Sequence, residues 1–225
     1  MKINTIQDVR AEFARKLKDE EFVIDKNGGK TIEILGASFI ADEESIFGKL
    51  NVEYADAEIK WYESQSLNVY DIAKYYKIVP KIWKDVADNN GMINSNYGYV
   101  CFSEQNGNQY SHVLNHLKSN IDTRHGIIIF NRPSIHIEAF TLNKQDMMCV
   151  QNSHFLIRDN KLEMIACTRS MDSVFGYLND LYFFKYLHNK LFNDLISTYP
   201  NLEIGQIKVN ANSLHVYERH FELVE

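Results

Sequence analysis

Cysteine is scarce in this chain: Cys101, Cys149 and Cys167 are an odd set of three, with no CxxC pair and no metal-ligand spacing. A disulfide framework and a zinc site are not expected, and a reducing, cytoplasmic setting is. Proline, at 3 residues, and glycine, at 10, are too few for a fibrous or low-complexity chain. No apolar run approaches the ~20 residues that span a bilayer, and the N-terminus lacks the pattern of a secretory signal. Positive charge is not in excess either. Against 30 Asp and Glu stand 24 Lys and Arg, a net charge of −6. A broad footprint for DNA or RNA is therefore not expected, while a small anion held by a few local cations remains compatible.

What the chain does have is aromatic mass, 13 Tyr and 13 Phe, enough to fill a core or offer stacking surfaces. Its 225 residues suit one substantial core, read here as a single domain over residues 1–225. Apolar spacing predicts helices over 5–19, 52–64, 81–88 and 109–117, and a long one over 173–197 carrying Tyr177, Leu181, Phe184, Leu187, Leu191 and Leu195. Strands are expected at 31–41 with a break at Gly36, at 126–131 up to Pro133, at 152–158 and 161–168 around an Asp159-Asn160 turn, and at 204–217. Helices and strands do not alternate regularly, so the class is α+β.

The stretch from Arg169 to Asp180 concentrates the chemistry: a cation and a hydroxyl (Arg169, Ser170), a carboxylate (Asp172), then a second carboxylate (Asp180) on the apolar helix. Asp180 borders the face of Tyr177 and Phe184, where a carboxylate needs a partner. Asp180 is either a capping or salt-bridged aspartate, or its partner is a ligand ring with N–H donors. Asp172 could be a plain helix N-cap. Cys149 reads as a small buried hydrophobe or, beside a cation, as a thiolate nucleophile. Glu58, three residues before Trp61 on an amphipathic helix, is solvated or functional. His215 and Tyr217 share a strand face, and Arg124-His125 could be a surface turn.

These pieces, in this order, resemble the thymidylate synthase family, most closely its deoxycytidylate (dCMP) hydroxymethylase branch of T-even-type phages. The markers are Lys30-Thr-Ile-Glu-Ile-Leu-Gly-Ala-Ser38, Ile46-Phe47-Gly48, Glu58-Ile59-Lys60-Trp61-Tyr62 and Asn94-Ser-Asn-Tyr97-Gly98. Asp122-Thr-Arg124, Arg132-Pro-Ser134, Met148-Cys149, Arg169-Ser170-Met-Asp172 with Gly176, and Ser213-Leu-His215-Val-Tyr217-Glu-Arg-His220-Phe221 complete them. The resemblance runs from about Ile24 to the C-terminus. It implies a kinked mixed sheet flanked by helices, one sheet face forming a two-fold dimer interface.

It further implies that Cys149 attacks C6 of a pyrimidine nucleotide and that C5 takes a one-carbon unit from 5,10-methylenetetrahydrofolate, with no metal. Arg169 and Ser170 would hold the 5′-phosphate, and His215 and Tyr217 the deoxyribose 3′-hydroxyl. Arg124 would reach the phosphate across a homodimer, with His125 beside it in place of a second arginine. Ser38 would stand where synthases place a phosphate arginine, with Lys30 compensating. Asp172, Trp83 and Phe175 would face the pterin, Glu58 would act as acid and base, and Tyr97 would help remove the C5 proton.

Base choice is read at Asp180. Uracil shows N3–H and O4, which suits the amide that synthases carry there; cytosine shows an amino group, and N3 can be protonated in the adduct, which suits a carboxylate. Val150 stands where synthases follow the nucleophile with histidine. The expectation is hydroxymethylation of dCMP by water addition, in a host cytoplasm if the chain is viral. Methylation, action on CMP or dUMP, and a non-catalytic nucleotide-binding subunit are the alternatives. The chain stops soon after His220, where relatives continue with a tail over the folate, so a weaker lid is expected.

Overall fold

The structure is a computed structural model that describes residues 4–24, 28–142 and 144–225. In chain order it contains helix α1 (Ile6–Lys18), strands β1 (Phe22–Ile24) and β2 (Lys30–Ile40), and helices α2 (Val52–Glu63), α3 (Lys81–Val86), α4 (Tyr97–Phe102) and α5 (Gln109–Ser119). Strand β3 (Ile127–Ile129), helix α6 (Ile135–Thr141), and strands β4 (Val150–Arg158), β5 (Lys161–Thr168) and β6 (Met171–Asp172) follow. Helix α7 (Gly176–Leu195) and strand β7 (Glu203–Tyr217) are the longest of each kind, at 20 and 15 residues. The class is α+β, as the sequence predicts. The chain divides into two compact units, one of Met1–Leu50 with Ser153–Glu225, the other of Asn51–Asn152.

The first unit is a sheet with helices on one face. Its strand order is β1-β2-β7-β5-β4, with β6 continuing beside β7. β7 runs antiparallel to β2 and parallel to β5 and β6. The Asp159-Asn160 hairpin forms as expected, both residues left-handed at φ 50° and 58°, the pair of angles that a two-residue turn requires. α7 buries Tyr177, Leu181, Phe184, Leu187, Leu191 and Leu195, the spacing read from the sequence. It starts at Gly176 rather than 173 because the Asp172 carboxylate accepts the Val174 N–H at 2.9 Å and turns the chain first. α1 covers β2 with Ile6, Val9 and Phe13 and is closed by a Thr5–Asp8 capping box.

Gly36 does not end its strand. At φ +65° it lets β2 continue while the buried side changes from Ile32 and Ile34 to Ala37 and Phe39. β7 changes over beside it, from Val209 and Ala211 to Leu214 and Val216, and the pairing register is the same on both sides. Opposite the helices, Ser38 donates to Asn210 Oδ1 at 2.8 Å and Asn210 reaches Cys167 Sγ at 3.7 Å, a polar row across three strands.

The second unit is mostly helical. Its short β3 lies beside the start of β4, where the Phe130 N–H donates to the Gln151 carbonyl at 2.9 Å. α2 and α4 pack at Gly98. A β-carbon there would stand 1.9 Å from the Tyr62 carbonyl oxygen, so only glycine allows the approach.

Candidate active site

In the second unit the backbone around Cys149 is held from both sides. Met148 and Val150 are in the core, and Cys149 between them is half-buried. The Asn131 amide donates to the Met148 carbonyl at 2.9 Å, and the Gln151 amide lies 3.4 and 3.5 Å from the Met148 and Cys149 carbonyls. Upstream, residues 94–98 are clamped by the buried Asp146 carboxylate. It accepts the Asn94 and Ser95 backbone N–H groups at 2.6 and 2.7 Å, and the Ser95 hydroxyl. Asn96 caps α4 through the Tyr99 N–H at 2.8 Å and ties it to the carbonyls of Trp61 and Ser66. Tyr97, the first residue of α4, is buried with its ring 5.4 Å from Tyr62 and edge-on to Phe130 at 5.2 Å.

Glu58 is buried on α2, one turn after Tyr54. The Tyr54 hydroxyl donates to Glu58 Oε1 at 2.5 Å and accepts the Trp83 indole N–H at 2.9 Å. Burial pushes the Glu58 carboxyl up to about 7, against the opposing pull of hydrogen bonds from Tyr54, Trp83 and Tyr62. A carboxyl at that value can take and return a proton at neutral pH. Trp83 itself is half-buried and edge-on to Trp61 at 5.2 Å. Arg124 and His125 are exposed between α5 and β3, and the His125 ring meets His116 edge-on at 5.4 Å.

In the first unit Arg169 and Ser170 fill the gap between β5 and β6. The pairings Thr168 with Ala211 and Met171 with Leu214 place them opposite Asn212 and Ser213, where β7 changes face. Arg169 is exposed and Ser170 half-buried. Asp172 pairs with His215 in register, and the Ser173 N–H donates to the His215 carbonyl at 2.9 Å. Glu33 pairs with His215 from the other side; its carboxylate accepts the Ser213 hydroxyl, which lies 3.4 Å from His215 Nδ1. Burial lowers the His215 pKa, against the raising effect of Asp172, the Ser213 backbone and Glu33. A neutral imidazole at neutral pH can accept from a hydroxyl. Tyr217 stands edge-on to His215 at 4.9 Å, and the Arg219 guanidinium lies 4.5 Å over its ring. Asp180 is half-buried in the first turns of α7, between the buried Tyr177 and Leu181. Phe175, just ahead of α7, is 54% exposed and meets His220 edge-on at 5.2 Å.

The predicted residues thus fall into two groups. Glu58, Trp83 and Tyr97 join through Tyr54 and Tyr62, and Cys149 is tied to the same unit through Asn131 and Gln151. Arg169, Ser170, Asp172, His215 and Tyr217 line one end of the sheet, with Lys30 beside them at the start of β2, its Nζ 4.8 Å over the Phe22 ring. Ser38 does not join them. It pairs with Asn210, five positions along β2 from Glu33 and roughly 17 Å away at strand rise, beyond the Gly36 change of face. The sequence reading missed Tyr54, although its spacing of four from Glu58 on a helix was the available signal. It also missed Glu33, which only the pairing of β2 with β7 brings to His215 and to the Ser213 hydroxyl two residues before it. Among the described residues no group of three or more His, Cys, Asp or Glu is placed to hold a metal ion, and no helix is long and apolar enough to cross a membrane.

The family described as thymidylate synthase matches residues 18–225. The deoxycytidylate 5-hydroxymethyltransferases of Enterobacteria phages T6 and T4 are 46% and 45% identical over 223 residues, covering 98% of this chain and 89% of theirs. The thymidylate synthase of Francisella philomiragia is 25% identical over 219 residues, 89% of this chain and 76% of its own. Among solved structures, the thermostable thymidylate synthase A from Bacillus subtilis superposes with a TM-score of 0.69 at 20% identity, over 98% of this chain and 83% of that one.

Proposed function

Because the chain belongs to the thymidylate synthase family, we propose that it is a deoxycytidylate 5-hydroxymethyltransferase, converting dCMP, 5,10-methylenetetrahydrofolate and water into 5-hydroxymethyl-dCMP and tetrahydrofolate. The identity of 45–46% to phage enzymes of that name carries the reading. It is supported by a carboxylate, Asp180, at the position where synthases that act on deoxyuridylate carry an amide.

The folate supplies a one-carbon unit at the oxidation level of formaldehyde. A pterin is flat and rich in N–H donors. Asp172 offers a half-buried carboxylate and Phe175 an exposed ring, groups that fit it. Trp83 remains a neighbour of the pterin in this reading, in addition to its bond to Tyr54. Arg169 and Ser170 take the 5′-phosphate with Lys30, and the neutral His215 and Tyr217 take the 3′-hydroxyl.

Cys149 Sγ bonds to C6, and the displaced electron pair makes C5 nucleophilic while charge builds toward N3 and N4. Asp180 accepts hydrogen bonds from N4–H and protonated N3, stabilising that charge distribution. After C5 has taken the carbon, its proton is removed with Tyr97 assisting, and the electron pair of that C–H bond breaks the bond from the carbon to the folate nitrogen, so that tetrahydrofolate leaves and an exocyclic methylene remains on C5. Water then adds to the exocyclic carbon, and Glu58 receives the proton that the water loses. The returning electron pair expels Cys149 Sγ from C6.

Family members are typically two-fold dimers. We place the partner copy on the sheet face that bears Ser38, Asn210 and Cys167, with Arg124 and His125 reaching the partner's phosphate site. Relatives from phages support a site of action in a host cytoplasm.

Mass spectrometry of dCMP incubated with the protein and methylenetetrahydrofolate tests the activity. The expected product carries one added hydroxymethyl group, with no dihydrofolate absorbance. Cys149→Ser is expected to abolish it. Formation of a methylated base with dihydrofolate would make the chain a synthase instead.

A further inference from the structure

Tyr54 has no part in the reaction as set out above, yet its hydroxyl is hydrogen-bonded on both sides. The Trp83 indole N–H can only donate, and at 2.9 Å it occupies a lone pair of the Tyr54 oxygen. The Tyr54 hydrogen is left for Glu58 Oε1, 2.5 Å away. A chain that begins at a pure donor has one direction, from Trp83 through Tyr54 to Glu58. Each bond polarises the next, so the phenol donates more strongly than it would alone. Oε1 is engaged as the acceptor of the Tyr54 hydrogen; Trp83 and Tyr62 also hydrogen-bond the carboxyl, and Oε2 is the oxygen that Tyr54 does not occupy.

We propose that Tyr54, oriented by Trp83, is the positioning residue that divides the work between the two Glu58 oxygens, Oε1 as fixed anchor and Oε2 as the atom that exchanges protons with water at the pyrimidine. The proposal rests on the reading of Glu58 as the acid–base group and goes one bond further back. A buried carboxylate with both oxygens unassigned could rotate and present its proton away from the water. The Tyr54 bond removes that freedom before substrate arrives, so no reorganisation is needed during the reaction. The groups that act on the Glu58 carboxyl besides burial are Tyr54, Trp83 and Tyr62, all neutral. Behind Tyr54 stands Tyr76, edge-on at 5.3 Å, its hydroxyl held by Asn51 at 3.1 Å.

The test is Tyr54→Phe in the full chain, read in two ways. One is the pH profile of tritium release from C5 of dCMP in the presence of methylenetetrahydrofolate. The other is the carboxyl-carbon NMR titration of glutamate-labelled protein, with the Glu58 signal assigned by its loss in Glu58→Gln. Removing a bond that favours the carboxylate is expected to move both the Glu58 midpoint and the acid limb of the profile to higher pH. The expected kcat loss is about 10- to 100-fold, with KM for dCMP within about twofold of wild type. Trp83→Phe is expected to shift both in the same direction by less. A folded Tyr54→Phe with lower kcat but an unmoved midpoint and limb would reduce Tyr54 to packing and overturn the proposal. Should Tyr54→Phe not fold, an unmoved midpoint in Trp83→Phe overturns it as well. If the wild-type protein releases no tritium, the functional reading fails, while the NMR midpoints still decide this one.

Discussion

At the scale of single residues, Asp180 makes the sharpest commitment. A carboxylate accepts from the cytosine edge and repels uracil O4, and a buried polar mismatch of this kind can cost several powers of ten in specificity. Asp180→Asn is therefore expected to lower the dCMP-to-dUMP ratio of kcat/KM by at least about a hundredfold, measured by direct competition between the two nucleotides. An unchanged ratio would remove the base assignment. Cys149 and Asp180 were singled out in the sequence by residue type and order, and their proposed roles await these tests. Tyr54 was not singled out, because a tyrosine on an amphipathic helix looks like core until the distance to Glu58 is known. Glu33 was hidden further still: it lies 182 positions from His215, and only the register of β2 against β7 makes them neighbours.

Among the elements, legibility followed length. α7 and the β4–β5 hairpin announced themselves, one by many turns of apolar spacing and the other by a turn dipeptide with strands on both sides. α4, at 6 residues, and α6, at 7, are too short for a periodicity signal to rise above chance. What makes α4 is local: the Asn96 cap, the Asp146 clamp behind it, and the glycine that lets it lie on α2. Gly98→Ala should lower stability by about 3 kcal/mol, since a backbone carbonyl and not a flexible side chain stands in the way. Urea denaturation measures this. Because Tyr97 and Tyr62 bracket the contact, activity should fall in the same variant even under conditions where it is folded. Gly36 shows the opposite case. The sequence correctly flagged an irregularity there, but a neighbouring strand that changes face at the same place turned an expected break into a continuous strand.

At the scale of the whole molecule, each of the two groups of candidate residues is assembled from distant stretches of chain, and the proposed pairing of two copies would add residues from a second chain. Mixing inactive Arg124→Ala with inactive Cys149→Ser tests that arrangement. If Arg124 serves the partner's site, a mixed dimer contains one site with both residues intact. Refolded together in equal amounts, the two are expected to recover about a quarter of the wild-type rate per chain; no recovery from properly mixed dimers would argue against a shared site. One feature of the fold bears on how long a nucleotide would be kept at the proposed site. β7 is paired on both edges, by β2 on one side and by β5 and β6 on the other, and His215 and Tyr217 lie at its end. Strands enclosed in this way exchange their amide hydrogens only when the whole domain opens, whereas exposed loops such as the one bearing Arg124 and His125 open locally and often. If His215 and Tyr217 take the sugar and Arg124 and His125 the partner's phosphate, as proposed, the first pair sits on a strand hydrogen-bonded along both edges and the second on an exposed loop, so that nucleotide departure would follow the movements of the loop without loosening the floor on which the sugar rests.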